Sequence, residues 1–148
     1  MVRDRGELPI EIFAAEQLSL RRRKLRKRAK SFAELDAGRR HKLRIQAKKL
    51  RYASDFFGSL FSGKQPDKRR KKFLAALETV QDCLGDLNDI AVHESMISAA
   101  GMRQRPTSRK RAFAAGLLTG REDARIDAVM AAAEDALDRF GKAKPYWR

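Results

Sequence analysis

The stretch from residue 41 to residue 57 combines two helical faces of opposite character. Its apolar side chains recur at helical spacing, at Leu43, Ala47, Leu50 and Phe57. An α-helix turns about 100° per residue, so four cationic or titratable side chains share the opposite face: His41, Arg44, Lys48 and Arg51. The pattern predicts a helix that packs on a core and displays this line of four residues, here called the basic rail. Such a line suits a linear polyanion better than a small neutral ligand.

Positive charge is concentrated in one continuous third of the chain. The 148 residues carry 34 Lys and Arg against 19 Asp and Glu, a net charge of +15. Residues 21–72, which we call the basic segment, hold 21 basic and 4 acidic residues, so all of the excess lies there. Self-repulsion at this density opposes compaction, and a bound anion relieves it. The alternative interpretation is a solvated surface that only keeps the protein soluble.

Composition predicts a single helical domain over residues 1–148. The length fits one domain, and few aromatic or β-branched residues favour helix over strand. With a single Cys and two His, an internal disulfide is excluded and a Cys- or His-based metal site is not expected. The chain shows no signal-peptide pattern and no apolar run of about 20 residues. We therefore expect a soluble, cytoplasmic protein without a cofactor.

Four amphipathic helices can be predicted from the apolar spacing, over about residues 9–35, 36–61, 66–100 and 108–140. Asp36 suits the N-cap of the second helix. Gly85 could break the third helix, and the pair at 119–120 could interrupt the fourth. Tyr146 and Trp147 near the chain end are expected to fold back as a packing anchor. Long helices with short connections predict an all-α, antiparallel four-helix bundle.

Three segments resemble one known family. The rail helix, residues 41–52, resembles the signature helix of the CHAD domain, the conserved histidine α-helical domain. Residues 77–89, which contain Gln81, Gly85, Asn88 and Asp89, are similar to the family's Q-x-x-L-G-x-L-N-D stretch. Residues 116–120 and 144–147 resemble its closing segment. The three occur in the family's order and span residues 41–147.

The resemblance implies binding of inorganic polyphosphate through Lys and Arg on the helices. It also implies a domain of two related helical halves that face each other across a basic cavity, of which this sequence matches the second, C-terminal half. Either the chain is a fragment, or two copies associate as a homodimer that rebuilds the pair of halves. A polyphosphate-binding protein of this kind is expected in the cytoplasm, associated with polyphosphate granules.

The expected polyphosphate-binding residues are the basic rail, Lys49 at its rim, and two arginines of the first helix, Arg22 and Arg26, as an opposite wall. Guanidinium and ammonium groups donate charge-assisted hydrogen bonds to phosphate oxygens. His41 either donates to phosphate or orients its neighbours. For Gln81, Asn88 and Asp89 we expect a structural role between helices.

Two other functions compete with polyphosphate binding. A nucleic-acid backbone could follow the same rail, although the rail offers no aromatic platform beyond Tyr52 and no nucleic-acid motif is recognised. An enzyme acting on polyphosphate would need a metal-binding carboxylate cluster, and acidic residues are scarce in the basic segment. The sequence therefore favours non-enzymatic binding, without catalytic residues, and makes nucleic acid the less favoured partner.

Overall fold

A computed structural model of the chain describes residues 9–101 and 109–148, with the side chains of 100–120 and 122 excepted. The described residues form four α-helices: α1 (Ile10–Ala29), α2 (Ala37–Phe57), α3 (Lys64–Gly101) and α4 (Arg109–Lys142). Short 3₁₀ turns follow α1 and α2, at Phe32–Glu34 and Gly58–Leu60. The all-α prediction is confirmed. The predicted loop at 101–108 lies outside the described residues, apart from Gly101, which ends α3.

The helices pack as an antiparallel bundle. Each helix contacts the next one along the chain, and α1 also contacts α4. The start of α2 lies beside the middle of α4, where Arg40 Nη1 donates to Met130 Sδ at 3.2 Å. The end of α2 lies beside the chain end, where Tyr146 Oη donates to the Ser54 carbonyl at 3.4 Å. Helices α2 and α4 therefore run in the same direction, as an up-and-down bundle requires.

The first predicted helix is too long, because α1 ends at Ala29 and not near residue 35. Lys30 leaves the helical region with ψ 136°, and Ser31 adopts the left-handed region with φ 57°. The chain reverses there without the glycine that usually permits such a turn. Phe32, which the spacing placed on the helix, reaches the core from the 3₁₀ turn instead.

The other helix boundaries differ less from the prediction. Asp36 is the N-cap of α2, and its side chain accepts a hydrogen bond from the Arg39 amide at 2.8 Å. That helix ends at Phe57, before a 3₁₀ turn. The breaks suggested at Gly85 and at 119–120 are wrong, because α3 and α4 continue through both positions. Gly85 has an ordinary helical backbone, and no neighbour requires a glycine there, since a Cβ would meet nothing within 4 Å.

The predicted apolar stripes form the core. Leu43, Ala47 and Leu50 of α2 are fully buried, in one cluster with the buried apolar side chains of α3. The buried side chains of the other elements that belong to the same cluster are Leu18, Leu25, Phe32, Phe73, Leu77, Val80, Leu84, Leu87, Ala133, Ala136, Leu137 and Phe140. Phe57 is only half-buried and packs edge-on against Phe13 at the end of the bundle. One face of each helix thus packs into the core, and the cationic side chains lie outside it.

The chain end folds back onto this core, as predicted. Tyr146 is 1% and Trp147 6% exposed, and both rings contact Phe73 edge-on at centroid distances of 5.7 and 5.1 Å. Trp147 Nε1 donates to Ser19 Oγ of α1 at 2.8 Å. Aromatic contacts of this geometry each contribute about 0.5–1.5 kcal/mol beyond area burial. The tail therefore closes the end of the bundle between α1 and α3.

Candidate functional site: a basic face on the first two helices

The basic rail lies on the flank of α2 beside the buried leucines, where it borders α3, and not on the fully opposite face that the sequence predicted. Arg44, Lys48 and Arg51 are half-buried, and His41 is exposed. Residues at spacings of three and four are neighbours on a helix surface. At 1.5 Å per residue, the four side chains are spread over about 15 Å of helix. The rail predicted from the sequence therefore exists as one line of side chains.

The rail faces the second segment that carries the family resemblance. Arg44 and Lys48 line a cavity of about 360 Å³ together with Gln81 and Gly85 of α3. A smaller cavity of about 60 Å³ joins His41 and Arg44 to Asn88. The segments 41–52 and 77–89 are separate in sequence, but they lie on the two sides of one α2–α3 interface.

Arg51 is the rail residue with bonding partners inside the protein. Its Nη1 donates to Gln81 Oε1 at 3.3 Å, and its Nε lies 3.8 Å from Asp55 Oδ2. Gln81 therefore links α3 to α2, which is the structural role expected for it, although it does so without a helix break at Gly85. Arg44 and Lys48 form no ion pair or hydrogen bond among the described residues. These two are the rail cations most available to a ligand.

Three carboxylates of α3 lie across the cavity from the rail: Asp82, Asp86 and Asp89. Burial, and then the negative charges of Asp86 and Asp82, raises the pKa of the Cys83 thiol that lies between them in sequence. An anion that entered this cavity deeply would approach these carboxylates at an electrostatic cost. The rail is therefore favourable to anions on its outer side and less so towards α3.

The α1 arginines occupy a different place from the one expected. Arg22 and Arg26 line a cavity beside the chain end, with Trp147 and Arg148, and not the cavity of Arg44 and Lys48. They do not form an opposite wall to the rail within one cavity, because α1 turns this side towards the end of α4. Lys49 is exposed beside the rail, as its angular position predicted.

Sequence reasoning missed two arginines of the cavity beside the chain end. Arg23 belongs to a dense run of cations, in which the spacing gives no preferred face. Arg148 is more than 120 positions away from it in sequence and joins the cluster only because the tail folds back. The expected return of Tyr146 and Trp147 was the one signal that could have found it.

Most of the positive charge in the basic segment is not neutralised within the protein. In the part of the chain that the structure describes, the ion pair formed inside the basic segment is Arg51–Asp55. Two further ion pairs, Arg139–Asp135 and Lys142–Asp138, lie on α4. The surfaces of α1, α2 and the start of α3 therefore carry a high density of cations outside ion pairs, which is the usual footprint of a polyanion-binding surface.

Among the side chains that the structure describes, no group of three or more His, Cys, Asp or Glu is placed to hold a metal ion. None of the helices in the described part of the chain is both long and apolar enough to cross a lipid bilayer.

Comparison with known proteins identifies the family. Searches of curated proteins and of solved structures found no match. The sequence model of the CHAD domain matches residues 2–98. This range contains α1, both segments of the α2–α3 interface and most of α3, but it does not contain the closing segment expected at 116–147. The match covers more than half of the 148 residues, so the chain belongs to the CHAD domain family.

Proposed function

We propose that this protein binds inorganic polyphosphate without turning it over, through the basic face of α1 and α2. The observation that carries the proposal is the unneutralised charge of the basic segment, whose residues include 21 cations and only 4 carboxylates. Membership of the CHAD family, which is associated with polyphosphate, supports the same ligand. A flexible linear polyanion can follow the rail and release the counterions that otherwise screen it.

The ligand is expected to lie along the outer side of the rail. Arg44 and Lys48 donate to its oxygens there, while Asp82 and Asp86 keep it from entering the cavity towards α3. His41 and Lys49 extend the contact at either side, since both are exposed and carry ionisable nitrogen donors. Arg51 contributes charge while its hydrogen bond to Gln81 holds its orientation.

Nucleic-acid backbone binding is the second candidate, and one observation favours it. Tyr52 is 66% exposed and lies one turn from Lys48, where its ring could stack on an unpaired base. Tyr52 is a single aromatic group, so it gives no continuous stacking platform. Polyphosphate accounts for the rail without requiring a role for this residue.

Self-association is a further part of the proposal. A second copy would supply an identical basic face across the ligand through a two-fold interface. The candidate apolar contact of such a pair is the end of α2, where Phe56 is 79% exposed. Tyr146 and Trp147 cannot supply it, because they are buried in their own core. Two such faces repel, so pairing should be weak alone and stronger with polyphosphate. Sedimentation with and without polyphosphate tests this, and a monomer in both conditions would contradict it.

The direct test is binding of fluorescently labelled long-chain polyphosphate, followed by anisotropy over a series of salt concentrations. We expect tight binding at low salt and a linear fall of log affinity with log salt concentration. Absence of binding at low salt would refute the proposal. In cells, we expect a fluorescent fusion to lie in the cytoplasm at polyphosphate granules.

A further inference from the structure

A second basic cavity lies at the end of the bundle, apart from the rail. It measures about 220 Å³ and lies between α1 and the returning chain end. We call it the arginine cavity; the side chains that line it are Ser19, Arg22, Arg23, Arg26, Pro145, Trp147 and Arg148. Four of these seven residues are arginines and none has an acidic side chain. Its composition therefore differs from that of the rail cavity, which contains three aspartates.

One arginine of the cavity is held in position by the backbone. Arg22 Nη2 donates to the carbonyl oxygens of Gly141 and Ala143 at 3.2 and 3.3 Å, at the C-terminal end of α4. Carbonyl groups at a helix end lack partners within the helix and carry partial negative charge. Arg22 Nε is buried and has no hydrogen-bond partner among the described residues. The guanidinium is thus fixed while one of its donors remains free.

The arginines of the cavity repel one another. Burial, followed by the charges of Arg26 and Arg148, lowers the pKa of Arg22. Among the described residues, no carboxylate lies within ion-pair distance of these side chains. Asp138 is nearby, in the adjacent cavity that Arg26 also lines, but it pairs with Lys142 at 2.9 Å. An anion in the cavity would relieve this repulsion.

The remaining polar group of the cavity is also suited to an anion. Ser19 Oγ accepts the hydrogen bond from Trp147 Nε1, which leaves the hydroxyl hydrogen free to be donated. The indole itself is locked by its contacts with Phe73 and Tyr146. The cavity therefore offers hydrogen-bond donors from rigid positions, and planar guanidinium groups bind phosphate oxygens in pairs.

We propose that the arginine cavity binds a phosphoryl dianion, namely the terminal phosphate of a polyphosphate chain whose interior lies on the basic surface. This assignment rests on the proposed function. A terminal phosphate ionises a second time near pH 6, like a phosphate monoester, whereas each interior phosphate has one ionisable oxygen. The terminal group therefore has the higher charge and the larger number of free oxygens. A compact cluster of arginines discriminates in its favour.

The single tryptophan of the chain reports on this cavity directly, because Trp147 lines it. We expect a saturable change of its fluorescence on titration with orthophosphate or tripolyphosphate, and no such change with chloride at equal ionic strength. A second measurement compares long-chain polyphosphate with open ends and the same chain with both ends blocked as alkyl phosphoramidates. Blocking leaves one negative charge on each end, so it should weaken binding at least about tenfold, as loss of a charge-assisted contact implies.

A pair of variants with equal charge tests the location of the site. Arg26→Gln with Arg148→Gln removes two cavity arginines that have no hydrogen bond among the described residues. Arg121→Gln with Arg125→Gln removes two exposed arginines of α4. We expect the first pair to abolish the preference for open ends and the second to preserve it. Circular dichroism checks that both variants fold.

The outcomes separate this inference from the proposed function. Equal affinity for open and blocked chains, or no saturable change with any phosphate, would overturn the arginine cavity as a terminal-phosphate site while polyphosphate binding itself stands. A response to orthophosphate without a preference for open ends would make it a site for free phosphate and would overturn the terminal assignment. Failure to bind either long chain would refute the proposed function instead.

Discussion

Replacement of Arg44 and Lys48 by Gln tests the rail most sharply. Both side chains are half-buried beside α3, and neither has an ion pair or hydrogen bond among the described residues. Their substitution removes two charges without leaving a protein partner unsatisfied. Arg51 is left in place because its bonds to Gln81 and Asp55 contribute to the packing of α2 on α3. We therefore expect the variant to fold and to bind polyphosphate less tightly.

The size of the loss follows from the number of contacts. A hydrogen bond to a charged group contributes about 1.5–3 kcal/mol, and the lower value applies here because both side chains are partly exposed to solvent. Two contacts then amount to about 3 kcal/mol, or roughly a hundredfold in affinity. The slope of log affinity against log salt concentration should also decrease in magnitude by about 1.4. This value is twice the slope of about 0.7 that one phosphate contact contributes for a single-stranded polyanion.

Anisotropy with labelled polyphosphate measures both quantities, and Arg121→Gln with Arg125→Gln is the matched control. Those two arginines are exposed on α4, outside the basic segment. We expect the control to lose only a few-fold in affinity, because its charges act at a distance through screening salt. Equal losses in the two variants would show that bulk charge alone decides binding, and would refute a specific role for the rail.

Three further predictions concern other parts of the protein. Asp82→Asn with Asp86→Asn should tighten polyphosphate binding by about 0.2–1 kcal/mol, the usual range for partly exposed charge interactions; weaker binding would contradict the position of these carboxylates beside the ligand. Burial, with smaller opposing contributions, raises the pKa of Tyr146, so the folded state favours its neutral phenol. The resulting stability is present below the pKa of an exposed tyrosine, about 10, and is lost as the pH rises through the raised pKa. The melting temperature should therefore fall at alkaline pH, and this fall should be smaller in Tyr146→Phe than in the unsubstituted protein. Identical profiles of melting temperature against pH would count against the buried phenol. Finally, the protein should release no phosphate from polyphosphate with magnesium or manganese; metal-dependent turnover abolished by changing one carboxylate would overturn the non-enzymatic proposal.

Much of the fold could be predicted because its signals are local. The apolar spacing identified the core faces of all four helices, and Asp36 marked the start of α2. The end of α1 could not be predicted, because Lys30 and Ser31 reverse the chain without glycine or proline. At Gly85 the error was the opposite one, because a helix break was predicted where none exists. The buried apolar side chains on both sides of Gly85 keep α3 continuous despite the low helix propensity of glycine.

The candidate site was predictable only where one helix defines it. The angular position of Arg44 and Lys48 follows from helix geometry, so the rail appeared in the sequence. The other side of the cavity could not be predicted, because the position of Asp82 and Asp86 depends on how α3 packs against α2. The arginine cavity depends on residues more than 100 positions apart, which only the returning tail brings together. Arg22 was therefore predicted as a binding residue but assigned to the wrong cavity.

Competition between polyphosphate and duplex DNA tests the central claim most directly. Labelled long-chain polyphosphate is bound to the protein at fixed salt, and unlabelled polyphosphate or duplex DNA is added at equal charge concentration. A flexible chain can follow the rail on one helix, whereas a stiff duplex, with a persistence length of about 50 nm, cannot adapt to it. We predict that polyphosphate displaces the label at far lower concentration than DNA does. Displacement by DNA at equal or lower concentration would contradict the account and favour a nucleic-acid ligand.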